Sequence, residues 1–127
     1  MLKLTLIALM CLMLVACRSA PIQNVEHEPV RINKINYTIE DVERGIIRGG
    51  VSMGWEMYRK QPGLIEGTLY IGTHVVEVTI PYNMQSYNIS YRNSKNMNYD
   101  SGKIHKSYNR WIDNLNKAIR QSLSSEM

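Results

Sequence analysis

Few side chains here are equipped for covalent or acid–base chemistry: Cys11 and Cys17 near the N-terminus, and His27, His74 and His105 spread along the chain. A cysteine nucleophile needs a free thiol beside a base, so a Cys-His pair is excluded if Cys17 is acylated. Ser94 and Ser101 fall in a loop without the glycine elbow that presents a hydrolase serine. The histidines show no spacing such as His-Glu-x-x-His, which sets two ligands on one helix face, so no metal is expected. His27 lies between Glu26 and Glu28 in a polar stretch and reads as solvated. His74 ends an inward strand face and His105 stands near the start of the last helix; both read as structural hydrogen-bonding groups. They are also the residues that a small periplasmic hydrolase or ligand-processing enzyme would use. No catalytic residue is assigned and no cofactor is expected.

One surface could bind. On a helical wheel Trp55 borders the apolar face of the first helix, beside Arg44, Arg48 and Arg59. Arginine stacked on an aromatic ring can still address an anion. The simpler reading is a tryptophan packed at the helix edge and capped by solvated arginines. As a site, the patch would take anionic lipid head groups, cell-wall polymer or an envelope protein.

The N-terminus carries the most specific pattern. Met1-Leu2-Lys3 precedes an apolar run from Leu4 to Ala16, broken only by Thr5. As a helix that run spans about 20 Å, short of the roughly 30 Å of a bilayer core and right for a secretion signal. It ends in Leu14-Val15-Ala16-Cys17, which resembles the lipobox of bacterial lipoproteins. Bulky Met10 before Cys11 fails the same test. The resemblance implies removal of residues 1–16 as a lipoprotein signal peptide, acylation of Cys17 and anchoring in a membrane through that lipid. Two or three acyl chains anchor durably where one does not. Aspartate after the cysteine commonly retains such proteins at the inner membrane. Arg18 stands there instead, which leans toward the outer membrane, facing the periplasm.

Cleavage leaves 111 residues, enough for one modest domain. The formal charge falls from +4 to +3 with the loss of Lys3. So mild an excess does not argue for nucleic acid and is compatible with a place near anionic head groups. With Cys11 removed and Cys17 acylated no disulfide remains, so stability must come from a packed core.

Residues 17–36, with Pro21, Pro29 and several charges, read as a lipidated N-terminus and flexible tether, though the alternation of Val30 and Ile32 could pair part of it as an edge strand. A small α+β domain is predicted over 37–124. Thr38-Ile39-Glu40-Asp41 resembles a capping box. Apolar residues then recur near helical spacing to about Gln61, where Pro62-Gly63 stops the helix. Gly50 and Gly54 fall near the middle of that helix's apolar face, which predicts close approach to a sheet or second helix, or a dimer contact. Gly72-Thr73 suits a type II′ turn that pairs Ile71 with His74, Leu69 with Val76, Gly67 with Val78 and Ile65 with Ile80. A third strand follows over Tyr87–Arg92, then a loop over Asn93–Gly102 with room for a short strand near Met97 and Tyr99. Tyr108, Trp111, Ile112, Leu115, Ala118, Ile119 and Leu123 form the stripe of a C-terminal helix. Helix, three or four antiparallel strands and helix, after a signal peptide and tether, predict a two-layer α+β sandwich.

The mature region also resembles a group of small, uncharacterised proteobacterial lipoproteins. The resemblance rests on Gly54-Trp55, Pro62-Gly63, His74, Ile80-Pro81-Tyr82, Tyr91, Ile104-His105 and Tyr108-Asn109-Arg110-Trp111. It covers most of the domain and supports the lipoprotein class, but no activity comes with it; with no reactive constellation in the chain, the expectation is an envelope lipoprotein with a non-catalytic binding or scaffolding domain.

Overall fold

The computed structural model describes residues 18–127, so the apolar leader, the lipobox and Cys17 lie outside the described residues. Turn chemistry sets the centre of the fold. Strands Leu64–Ile71 and His74–Pro81 pair antiparallel with Ile71 opposite His74 and Ile65 opposite Ile80, the register that a two-residue turn demands. Gly72 takes φ +59° there while Thr73 does not turn positive, as a type II′ turn requires. Ser86–Lys95 pairs with the second of these strands through a bulge between Glu77 and Val78.

In chain order the strands are Ser19–Pro21 (β1), Val25–Pro29 (β2), Glu56–Gln61 (β3), Leu64–Ile71 (β4), His74–Pro81 (β5), Ser86–Lys95 (β6) and Lys103–His105 (β7). The helices are Ile39–Ser52 (α1) and Ser107–Ser124 (α2). Five strands form one antiparallel sheet in the order β2-β6-β5-β4-β3, and β1 pairs with β7 in a second, two-stranded sheet. The architecture is α+β. Alternate residues Ile65, Leu69, Val76, Val78, Ile80, Tyr87 and Ile89 share one core with Val42 and Ile46 of α1 and Ile112, Leu115, Ile119 and Leu123 of α2. Each such aliphatic side chain, fully buried, stabilises by about 1.5–3 kcal/mol before chain entropy is charged against it.

Three sequence-based expectations are corrected. First, α1 ends at Ser52 rather than near Gln61. Its capping box forms as expected, with Thr38 Oγ1 accepting from the Asp41 N–H at 3.4 Å and Asp41 Oδ2 accepting from the Thr38 N–H at 2.8 Å. Its end is a Schellman turn. Gly54, at φ +86°, donates to the Val51 carbonyl at 3.0 Å, and the Trp55 N–H reaches the Gly50 carbonyl at 3.0 Å. The chain then reverses into β3, an edge strand whose Met57 alone is half-buried. With so little alternation in hydrophobicity, its strand period left no signal, and Met57 happened to continue the helical spacing.

Second, the stretch read as a tether carries two strands between Ser19 and Pro29: β1 lies on β7, and β2 lies on β6 as an edge strand with Val25 opposite Ile89, just ahead of the Val30–Ile32 alternation that suggested one. Both strands are short and polar, so only their distant partners define them. Third, two strands therefore precede the first helix, and the helix–sheet–helix order is not kept. The segment read as a loop from Asn93 splits between the end of β6 and a turn in which Met97 is buried.

The glycine prediction holds for Gly50, which packs against a sheet strand, and fails for Gly54; the helix–helix approach falls to two other glycines. A Cβ on Gly49 would lie 2.6 Å from the Ile119 Cα, and one on Gly45 would lie 2.5 Å from Leu123 Cδ2. These two glycines let α1 and α2 approach backbone to backbone. Gly50 gives room to the Met57 thioether of β3, and Gly54 has nothing within 4 Å.

Candidate functional site

Three local structures converge at one end of the sheet. The β4–β5 turn presents Ile71 on one side and His74 on the other. The Schellman end of α1 brings Met53 and Gly54. The first turns of α2 supply Trp111 and Asn114. Between them lies an open hollow of about 290 Å³, lined also by Trp55, Leu69 and Tyr70. Met53, Tyr70 and Ile71 are exposed at its rim, Tyr70 by 61 %. These three exposed side chains cluster at one hollow.

Trp111 joins this hollow to a pair of histidines. The His74 ring lies 6.2 Å from the Trp111 ring and 6.3 Å from the His105 ring, centroid to centroid. Their hydrogen bonds fix opposite tautomers in the neutral state. His74 Nδ1 is 2.6 Å from the Asn96 carbonyl, which can only accept, so Nδ1 carries the proton and Nε2 offers a lone pair. His105 Nδ1 accepts from the Ser107 N–H at 3.2 Å, so its proton sits on Nε2. The pair thus presents one acceptor and one donor beside an indole. Asn96 is held in turn, at φ +55°, by its side-chain amide donating to Thr73 Oγ1 at 2.6 Å. The group that orients His74 is a carbonyl rather than a carboxylate, so it stabilises an imidazolium less than the acid of a hydrolase triad does. Among the described residues no three His, Cys, Asp or Glu side chains converge as a metal site.

Behind the histidines is an aromatic stack. Tyr91 lies on Tyr99 at 4.8 Å and meets Tyr108 edge-on at 5.7 Å. The Tyr91 and Ser94 hydroxyls are 2.8 Å apart. The Tyr108 hydroxyl is buried with no hydrogen-bond partner, and burial pushes its pKa well above the usual phenol value.

The arginine patch does not assemble as the wheel suggested. Trp55 is only 3 % exposed and lies in the core, because it follows the Schellman turn rather than extending the helix. Arg44 donates to Asp41 and, from Nε at 3.1 Å, to buried Glu126; Arg48 lies 3.6 Å from the same Glu126. Lys34 completes this cluster at 3.3 Å from Asp41. The Thr38 backbone N–H and then Lys34 hold the Asp41 carboxyl below the ordinary carboxylate value. Arg59, on β3, pairs separately with Glu43 at 2.8 Å, and the Tyr82 hydroxyl donates to the same carboxylate at 2.5 Å.

His74 and His105 were legible as individual candidates, but their meeting depends on a loop and a helix start that only the tertiary fold brings together. Met53 read as an apolar position inside the helix, Ile71 as a strand end and Asn96 as loop, so none of the three pointed to a site. His27 is exposed on β2, apart from both other histidines in the sheet order. Compared with known protein families, curated proteins and solved structures, the chain finds no match in any of the three.

Proposed function

We propose that this chain is an envelope lipoprotein, lipid-anchored through Cys17 at the outer membrane and facing the periplasm. Its two-layer α+β domain binds or scaffolds and does no catalysis. The observation that carries the anchoring is the sequence Leu14-Val15-Ala16-Cys17 at the end of a 13-residue run too short to span a bilayer. Support for binding comes from the hollow at Trp111, whose apolar rim suits a ligand with an apolar face, and from the His74–His105 pair that adjoins Trp111 outside its lining and offers polar groups beside it. Cell-wall polymer and an envelope protein segment both present such faces.

Metabolic labelling with palmitate tests the anchor. Wild-type chain should take up label, and Cys17→Ser should take up none and persist as full-length precursor. Equal labelling of the two would overturn the assignment. The binding half is read by chemical-shift mapping of the domain against solubilised cell-wall fragments and envelope extracts. Shifts confined to His74, His105 and Trp111 support it, and shifts elsewhere move the site.

The proximity of His74 and His105 favours a second reading, a small periplasmic hydrolase in which the His74 Nε2 lone pair serves as base. Turnover of an ester or amide substrate by the wild type, lost in His74→Ala and His105→Ala alike, would establish it.

A further inference from the structure

The described chain is tied to the domain from its first residue, Arg18. Successive Cα atoms lie about 3.8 Å apart, so Cys17 is one peptide unit from Arg18, whose carbonyl accepts from the Lys106 N–H at 3.1 Å. Ser19 is already opposite His105 in the β1–β7 ladder. The Ile22 N–H donates to the Gly102 carbonyl at 2.9 Å. Asn109 clamps the same segment from α2, its Oδ1 accepting from the Gln23 N–H and its Nδ2 donating to the Pro21 carbonyl, both at 3.0 Å. A 20-residue tether would let the domain roam by tens of ångströms, on the order of 60 Å when extended. Here Arg18, the next residue after Cys17, is already bonded to one end of the domain.

That end has the chemistry of a surface that meets phosphate. Arg18, Lys103 and Lys106 are all exposed there, and among the described residues none of the three has an ion-pair partner. A hollow of about 350 Å³ opens beside Arg18, lined by Ser19, Asn98, Asp100 and Lys103. Asp100 is the carboxylate in that lining, and its Oδ1 already accepts from the Ser101 hydroxyl at 2.9 Å. Tyr99, 50 % exposed and stacked on Tyr91, stands in the adjoining loop. Tyrosine with an apolar body and a polar tip suits the head-group layer. The Arg44–Arg48–Glu126 cluster is at the other end of α2, whose 18 residues span about 27 Å.

We propose that the end of the domain formed by β1, residues 96–102 and β7 rests on the membrane that holds the Cys17 lipid, with Arg18, Lys103 and Lys106 against its phosphate head groups. This rests on the lipoprotein reading of Cys17. The domain then has one orientation at the membrane, and the far end of α2 points away from it.

The test uses the full chain, processed in a bacterial host and reconstituted into vesicles of phosphatidylethanolamine and phosphatidylglycerol containing a head-group nitroxide lipid. Once the signal is removed and Cys17 acylated, an introduced cysteine is the only free thiol. Fluorophores are placed at Asn98→Cys in one protein and Ser125→Cys in another. The label at 98 should be quenched several-fold more than the label at 125. Lys103→Glu with Lys106→Glu, or added salt, should shrink that difference while circular dichroism stays unchanged. Equal quenching at the two positions in a chain that takes up palmitate and floats with the vesicles overturns the orientation and leaves the lipoprotein reading intact. A chain that takes up no palmitate and does not float overturns both.

Discussion

Tyr87 and Tyr108 are both buried phenols on the core side of the fold, and they differ by one hydrogen bond. The Tyr87 hydroxyl donates to Asn116 Oδ1 at 2.5 Å, whereas the Tyr108 hydroxyl has no partner. An unmatched buried hydroxyl carries its desolvation penalty uncompensated, about 1–3 kcal/mol. Tyr108→Phe should therefore leave the melting temperature unchanged or raise it, while Tyr87→Phe should lower it by orphaning the Asn116 amide. Thermal denaturation of the two variants side by side checks this, and a destabilised Tyr108→Phe would show that the hydroxyl has a partner such as an ordered water. Trp55 belongs at the same scale. As a core residue packed near Gly67 and Met57 it should cost about 3–5 kcal/mol when cut to alanine. An exposed platform would cost far less, so a mild Trp55→Ala variant would return Trp55 to the surface. The sequence could not decide this residue, because a tryptophan three positions past a helix end is assigned the same wheel angle as one inside the helix.

Two glycines in or beside α1 have opposite reasons to be glycine, and substitution separates them. Alanine at Gly49 gains about 1 kcal/mol of helix propensity, yet its methyl meets the α2 backbone at Ile119 Cα, which cannot step aside as a flexible side chain would. Overpacking of that kind costs about 1–3 kcal/mol, so Gly49→Ala should destabilise on balance. Gly54→Ala meets no atom within 4 Å and is opposed only by its φ of +86°, a cost of about 1–2 kcal/mol. Gly54→Leu should then cost no more than Gly54→Ala, which urea melts of the three variants would read directly. A leucine variant much worse than the alanine one would mean that Gly54 faces a packed neighbour. The hairpin of β4 and β5 was fully legible because a glycine-first turn and two-faced strands constrain each other. The end of α1 was not, because the edge strand after it is polar on both faces and imitates a helix continuation at Met57.

Across the whole molecule, the phenols make alkaline pH the vulnerable side. Burial raises the pKa of Tyr87 and Tyr108 above the ordinary value of 10.0, and Tyr82 shifts the same way. In the unfolded chain these groups ionise near their ordinary value, so above it the unfolded state holds fewer protons than the folded one. Stability should be undiminished below about pH 10 and fall as pH rises through and beyond that value. Melts followed from neutral to strongly alkaline pH would show it, and Tyr108→Phe should flatten the decline. A melting temperature indifferent to that range would mean that the phenols ionise freely in the fold. At this scale the sequence revealed the α+β class, the central meander and the last helix, all built from neighbours in the chain. It hid whatever depends on distant partners: β1, β2 and the meeting of His74 with His105. That distance also sets a clock. Gln23 and Asn109, which are bonded in the finished fold, lie 86 residues apart. At about 5–20 residues per second of synthesis the second follows the first by roughly 4–17 s, and loop closure over that span is slow in its own right. The Gln23–Asn109 bond thus waits for the first turns of α2, and the packing of α1 on Ile119 and Leu123 waits longer still.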